Sequence, residues 1–228
     1  MAQMKALDAI YAATDRVSSD PVEYTLKRSL DFILAALAIF ISAPLWLVFS
    51  IAIKLEDGGP VFYRQKRVGK NGKSFTVFKF RTLVQNADQV VRPWMSPDQK
   101  WVTRIGRLLR RTALDELPQV LNILKGDMSF VGPRAMPVDE FESFRAKVLG
   151  LEQRLYVRPG LTGIAQVYGK ATRDARAKLG YDLIYIQNQS LWLDLKLIML
   201  SFWITFRGKW ESLEKVVDSL KEGGKNEE

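Results

Sequence analysis

Polarity along the chain changes character several times. From Phe32 to Ile53 there are 22 residues without a charge, FILAALAIFISAPLWLVFSIAI. As one helix this stretch would reach about 33 Å, enough for a bilayer core of about 30 Å. It starts too far into the chain, and lacks the small-residue cleavage site, for a secretory signal. Ser42 and Pro44 lie at its midpoint, where proline removes a backbone donor and crowds the preceding turn. A break there leaves halves of about 15 to 18 Å, roughly one leaflet each. Basic residues stand on both sides, Lys27 and Arg28 before, Lys54, Arg64, Lys66 and Arg67 after. The positive-inside rule then asks for both ends in the cytoplasm, as a hairpin allows. A Pro-kinked crossing helix or a buried core helix stays open on the local pattern, because neighbours can satisfy the freed carbonyl.

A second apolar run, Leu191 to Trp210 (LWLDLKLIMLSFWITFRGKW), is interrupted by Asp194 and Lys196. Trp192, Trp203 and Trp210 suit a helix lying at headgroup depth, and a core-facing helix accounts for the run equally well. Between the two runs the period shortens. Val61 to Val68 and Ser74 to Thr82 read as strands joined through Gly69-Lys70-Asn71-Gly72, a hairpin. Period two puts Phe75, Val77, Lys79 and Arg81 on one face of the second strand, where the two cations could hold a phosphate or merely edge a solvated strand. A loop with a short helix is expected over Leu83 to Lys100. Trp101 to Arg111 reads as an amphipathic helix, with Trp101, Ile105, Leu108 and Leu109 opposite Arg104, Arg107 and Arg111.

Composition narrows the chemistry. The chain has no His and no Cys, so imidazole bases, thiolate nucleophiles, disulfides and zinc sites of those ligands are excluded. Catalysis must rest on carboxylates, hydroxyls, Lys, Arg, Tyr or a bound metal. The net charge is +9, yet Pro60 to Arg111 alone holds 13 basic and two acidic residues, a net +11. Such a focused positive field calls for an anionic partner: nucleic acid, anionic lipid or a phosphorylated small molecule.

The segment richest in chemistry is Arg110 to Arg134, RRTALDELPQVLNILKGDMSFVGPR. Pro118 is tolerated only in a first helical turn, which predicts a helix with Asp115 as N-cap that Gly126 stops after Lys125. Asp115 and Glu116 then sit side by side at the positive end of a helix, just after Arg110 and Arg111, and both influences favour their ionised forms. An anionic carboxylate near cations suits nucleophilic attack at phosphorus or a magnesium ion; an ordinary capping Asp with an acidic first turn fits the same residues. Two Gly/Pro-stiffened loops, SFVGPRAMP and VRPGLTG, present Arg134 and Arg158, as bidentate phosphate binding or a plain turn would require.

Taken in order, these segments resemble the bacterial sugar transferase family, the monotopic polyprenyl-phosphate phosphoglycosyl transferases. The resemblance runs from KRSLDFILA at Lys27 through VFYRQKRVGKNGKSFTVFKFRT, TRIGRLLRRTALDELPQVLNILKGDMSFVGPR and RLYVRPGLTGIAQVYG to LWLDLKLIMLSFWITF. It implies transfer of a sugar 1-phosphate from a UDP-sugar to polyprenyl (undecaprenyl) phosphate, with UMP as the other product, Mg2+ as cofactor and a covalent phosphosugar intermediate. By the same matching Asp115 would be the nucleophile, with Glu116 supporting it, and the two are the metal candidates. Arg110 would steady phosphate, Arg134 would help hold the donor, and Lys79, Arg81 and Arg158 would be further phosphate contacts. The family's re-entrant hairpin falls on residues 30–53, breaking near Ser42 and Pro44, which turns the open choice toward the hairpin. The implied location is the cytoplasmic face of the bacterial inner membrane. Departures are Ala135 where the family has Pro, which leaves the Arg134 loop less stiff, Tyr168 where Asn is usual and Leu83 where Met is usual. The chain resembles the short catalytic form.

The expected fold is helix-rich mixed α/β: a re-entrant membrane helix-hairpin, surface amphipathic helices and a small soluble catalytic domain with a limited β-hairpin. A Rossmann sheet is not expected, because no Gly-rich strand-to-helix fingerprint is present. Residues 1–26 form an N-terminal helical segment, 27–56 the membrane helix-break-helix, 57–207 the catalytic domain with interfacial helices, and 208–228 a polar tail. Partners are the UDP-sugar, polyprenyl phosphate and membrane lipids; a homo-oligomer is left open. Nucleic acid is not expected, since it leaves the 22-residue apolar segment unexplained. Two alternatives remain: a glycosyltransferase that releases UDP, and a non-enzymatic basic membrane adaptor.

Overall fold

The computed structural model describes residues 26–87, 99–168 and 175–207. The chain opens with helix α1, Leu26–Asp57, whose outward side chains are apolar and exposed: Phe32, Ile33, Leu37, Phe40, Ile41, Leu47, Val48 and Ile51. It is the one described helix long and apolar enough to cross a membrane by length and composition. The break expected at Ser42 and Pro44 does not end the helix, which continues through Pro44. Pro44 has no N–H to offer the Phe40 carbonyl. One turn of side-chain bonding holds the chain together there: Ser42 Oγ donates to the Ala38 carbonyl at 2.6 Å and accepts from Trp46 Nε1 at 2.9 Å.

After a turn at Gly58, β1 (Phe62–Val68) and β2 (Ser74–Phe80) form the expected antiparallel hairpin, in register from Phe62↔Phe80 to Val68↔Ser74. Its turn requires positive φ at Asn71 (56°) and Gly72 (75°), which Asn and Gly tolerate best. Helix α2 (Arg104–Arg111) follows, capped by Thr103, whose hydroxyl accepts the Gly106 N–H at 2.9 Å. Then come a 3-10 helix, Leu114–Gln119, and α3, Val120–Lys125, stopped as expected by Gly126 at φ 92°. Strand β3 (Ser129–Val131) pairs in parallel with β4 (Gly160–Thr162); α4 (Val138–Arg145) and a 3-10 helix, Leu151–Tyr156, lie between them. Helices α5 (Ile164–Tyr168), α6 (Ala175–Asn188) and α7 (Leu191–Arg207) complete the described fold.

The main core gathers α4, the β3–β4 pair, α5 and α7 around α6, which is buried on nearly every side from Leu179 to Ile186. Two smaller clusters seat the hairpin and α1: Ala35 with Val77, Ile123 and Met128, and Ile53 with Phe80, Leu109, Trp46 and Phe49. Both ends of α1 are also tied to this body by polar groups. Near its start, Lys27 Nζ pairs with Asp194 at 2.5 Å and donates to Tyr185 OH at 3.0 Å, Arg28 donates to the Ile123 and Leu124 carbonyls, and Asp31 accepts from Ser129 Oγ. At its end, Glu56 accepts the N–H groups of Arg104 and Ile105, and Asp57 pairs with Arg81. Helix α7 has one buried and one exposed face. Leu193, Asp194, Leu197 and Ile204 are buried, while Trp192, Leu195, Met199, Phe202 and Trp203 form an exposed apolar row. The N-terminal segment 1–25, most of the helix expected within Leu83 to Lys100 and the tail 208–228 lie outside the described residues.

Candidate active site

Three elements converge on the acidic pair. Strand β2 contributes Lys79, the 3-10 helix contributes Asp115 and Glu116, and the loop after β3 contributes Arg134. Helix α2 closes the approach with Arg110, whose Nε donates to Thr82 Oγ1 at 2.8 Å. That approach is close because position 106 is glycine: a Cβ there would overlap the Thr82 carbonyl. The predicted N-cap role of Asp115 is corrected. The capping position is Ala113, held at φ 55°, and Asp115 lies inside the 3-10 helix. A left-handed non-glycine residue is strained, and this one stands two residues before the acidic pair.

Glu116 is the electrostatic hub. Its Oε1 accepts from Lys79 Nζ at 2.5 Å and from Arg134 Nη2 at 2.6 Å. Burial pushes its proton affinity up, but the charges and hydrogen bonds of Arg134 and Lys79 outweigh that and hold the carboxyl well below the usual range. Asp115 goes the other way. Burial raises its pKa, the neighbouring Glu116 anion adds to the rise, and Lys79, Arg110 and Arg134 only partly offset them. Position is expected to favour ionisation of both. Glu116 is shifted that way by Lys79 and Arg134 rather than by its place in the helix, and Asp115 is shifted the other way, because desolvation and a like charge next door exceed the pull of the cations. Two adjacent carboxylates with proton affinities driven apart are the usual mark of divided roles. No side-chain hydrogen bond is described to Asp115, whereas both Glu116 oxygens are engaged.

Lys79 is held below its ordinary value by burial, with Arg134 and Arg67 adding to the effect against the pull of Glu116. Arg110 is lowered by burial, against the pull of Asp115. The other two expected phosphate contacts are turned elsewhere. Arg81, expected on one strand face with Lys79, lies just past the end of β2 and is buried, with its Nη2 paired with Asp57 at the end of α1. Arg158 Nε donates to the Gly126 carbonyl at 3.0 Å. Arg67 was not among the expected site residues, yet its charge is felt by Lys79, and burial lowers its own pKa to about 10. The hairpin register could have found it: Arg67 stands opposite Phe75, on the face that carries Val77 and Lys79. Among the described residues no group of three or more His, Cys, Asp or Glu gathers as a metal cage. Asp115 and Glu116 are a two-carboxylate set, which suits a hard ion that keeps waters and takes its remaining ligands from substrate phosphates.

Comparison with known proteins places the chain in a family. The bacterial sugar transferase family matches residues 22–208. The chain is similar to the UDP-N-acetylgalactosamine-undecaprenyl-phosphate N-acetylgalactosaminephosphotransferase of Aeromonas hydrophila, 40% identical over 181 residues, 78% of this chain and 43% of that protein. It is similar to the UDP-glucose:undecaprenyl-phosphate glucose-1-phosphate transferase of Klebsiella pneumoniae, 40% identical over 195 residues, 82% of this chain and 42% of that protein. It is also similar to the exopolysaccharide production protein ExoY of Rhizobium meliloti (strain 1021), 38% identical over 193 residues, 78% of this chain and 84% of that protein. The chain thus spans less than half the length of the first two relatives.

Proposed function

Because this chain belongs to the bacterial sugar transferase family, we propose that it moves a sugar 1-phosphate from a UDP-sugar to polyprenyl phosphate and releases UMP. The observation that carries the reading is the split acidic pair inside a ring of cations. Lys79, Arg110 and Arg134 set three positive charges against two carboxylates, an excess that suits a diphosphate. Asp115 is the more basic carboxylate, and among the described residues none hydrogen-bonds its side chain, as suits a nucleophile toward phosphorus. In the first step an Asp115 oxygen forms a bond to the sugar-bearing phosphorus and the bond to the UMP oxygen breaks. In the second, an oxygen of polyprenyl phosphate attacks the same phosphorus and frees Asp115. Glu116 stays anionic and keeps Lys79 and Arg134 aimed at the reacting phosphates. Magnesium, held by Asp115 and Glu116 with the diphosphate, would offset charge on the phosphates.

Membrane placement follows the same logic. A soluble donor and a lipid phosphate must meet at headgroup depth. Two features support a re-entrant α1 on the cytoplasmic face of the inner membrane. A straight 32-residue helix would be about 48 Å long, yet both ends of α1 are seated on one small body. The exposed apolar row of α7, from Trp192 to Trp203, lies on the same helix as buried Asp194, which pairs with Lys27 at the start of α1. The product would be the first lipid-linked unit of an exopolysaccharide, capsule or O-antigen. The test is product analysis with undecaprenyl phosphate, Mg2+ and a panel of UDP-sugars, comparing wild type with Asp115→Asn. Lipid-dependent UMP release lost in Asp115→Asn supports the reading. UDP release points to simple glycosyl transfer, and UMP release that survives the substitution removes Asp115 as nucleophile.

A further inference from the structure

The loop that carries Arg134 has Ala135 in place of a stiffening proline, yet four consecutive carbonyls in it are each held by a donor. The Pro133 carbonyl accepts from Gly160 N at 2.9 Å, and that of Met136 from Val68 N at 2.9 Å. Between them, the Arg134 carbonyl accepts from Arg154 Nη2 at 2.8 Å and the Ala135 carbonyl from Arg67 Nη1 at 2.9 Å. The two middle donors are guanidinium groups of residues that are only 7% and 8% exposed. Gln65 Oε1 accepts from Nε and Nη2 of Arg67, and the same Arg154 Nη2 that serves the loop lies 2.8 Å from Asp182, its ion-pair partner buried on the core helix α6.

Neither arginine hydrogen-bonds Asp115 or Glu116, so electrostatic contact with substrate is not needed to explain their burial. A buried charge is retained at a cost that only good partners offset. Here each charge ends on the backbone of one loop, on the two carbonyls next to the Arg134 side chain. That side chain in turn reaches Glu116 through Nη2 at 2.6 Å and Nη1 at 3.4 Å. We propose that Arg67 and Arg154 are positioning residues, a two-guanidinium clamp that takes over the stiffening of the missing proline and aims Arg134 at Glu116 and the substrate phosphates. The catalytic part of this proposal rests on the transferase reading above. The mechanical part does not: it says that the 133–136 backbone is immobilised by side chains from β1 and from the 3-10 helix before β4.

Full-length protein in nanodiscs tests both parts. Arg67→Met, and Arg154→Met combined with Asp182→Asn so that no bare carboxylate is left buried, should each lower kcat/KM for UMP release about 10- to 100-fold. In an Arg134→Ala background the same substitutions should cost no more than about twofold, since what they aim is gone. Arg67→Lys, which still offers a charged N–H to the Ala135 carbonyl, should recover most of the loss. Equal losses in both backgrounds would mean a general structural role and overturn the proposal. The second readout is independent of turnover. Trypsin cuts after Arg when the chain can extend into its cleft, and Ala135, unlike proline, permits cleavage there. Native-state cutting between Arg134 and Ala135 should be slow in wild type and about tenfold faster in Arg67→Met, with cutting after the exposed Lys73 unchanged. If no donor gives UMP, the transferase reading fails while trypsin still decides the clamp; unchanged cleavage after Arg134 overturns the clamp whatever the activity.

Discussion

Replacing Glu116 by Gln keeps the shape of the hub and removes its charge. Two charge-assisted bonds are weakened, from Lys79 at 2.5 Å and from Arg134 at 2.6 Å. The Lys79 and Glu116 side chains are only 15% and 18% exposed, so that bond counts nearly in full, at about 1.5–3 kcal/mol. Arg134 is 44% exposed, and its share is discounted to below about 1 kcal/mol for solvent screening. Together these put the loss at about 2–4 kcal/mol, less than for a fully buried pair, where breaking one partner costs about 3–5 kcal/mol. In a chain of this size that lowers Tm by about 4–16 °C. Differential scanning fluorimetry in detergent at pH 7 reads it directly.

The pH dependence has a definite sign. Glu116 is depressed in the folded state, so its stabilisation is present above the ordinary glutamate pKa and is lost as pH falls through the folded value. The gap between wild type and Glu116→Gln should therefore be constant above pH of about 5 and narrow below about pH 4.5. Activity should respond as well. The Glu116 anion raises the Asp115 pKa, so in Glu116→Gln whatever turnover remains should keep Asp115 ionised to lower pH. The acid limb of kcat/KM then moves down. A variant that melts within about 1 °C of wild type, or whose acid limb moves up, would refute the hub reasoning.

Two further outcomes follow from the anchor. Lys27→Met leaves Asp194 buried beside Tyr185 without its cation, which should cost about 3–5 kcal/mol; adding Asp194→Leu should restore most of it, as read by chemical denaturation in detergent. A chain without cysteine also permits clean labelling of single-cysteine variants. Leu26→Cys and Leu55→Cys, exposed at the two ends of α1, should react with an impermeant maleimide only in inside-out vesicles. Reaction from opposite sides would replace the re-entrant anchor with a crossing helix.

Local pattern carried much of the architecture. Twenty-two uncharged residues announce the long apolar helix, period two with Gly69 to Gly72 announces the hairpin, and Gly126 ends its helix because only glycine sits easily at φ 92°. These features depend on neighbours a few positions apart, so composition and spacing decide them. The acidic pair was legible as a pair for the same reason. Its division of labour was not. Lys79 and Arg134 reach Glu116 across 37 and 18 positions of sequence, and the rise at Asp115 comes first from burial, which only packing creates. Arg81 and Lys79 read as equals on one strand face, yet Asp57 takes one and Glu116 the other. Pro44 reads as a break, yet Ser42 and Trp46 bond across the turn around it and the helix runs on. The Arg134 loop read as loosened by Ala135, until Arg67 and Arg154 arrived from elsewhere in the chain to hold it. Sequence by itself determined which groups the protein has and which segments are helix, hairpin and anchor. Tertiary structure decided which charge meets which, because proton affinity and ion pairing depend on distance and desolvation between residues far apart in the chain.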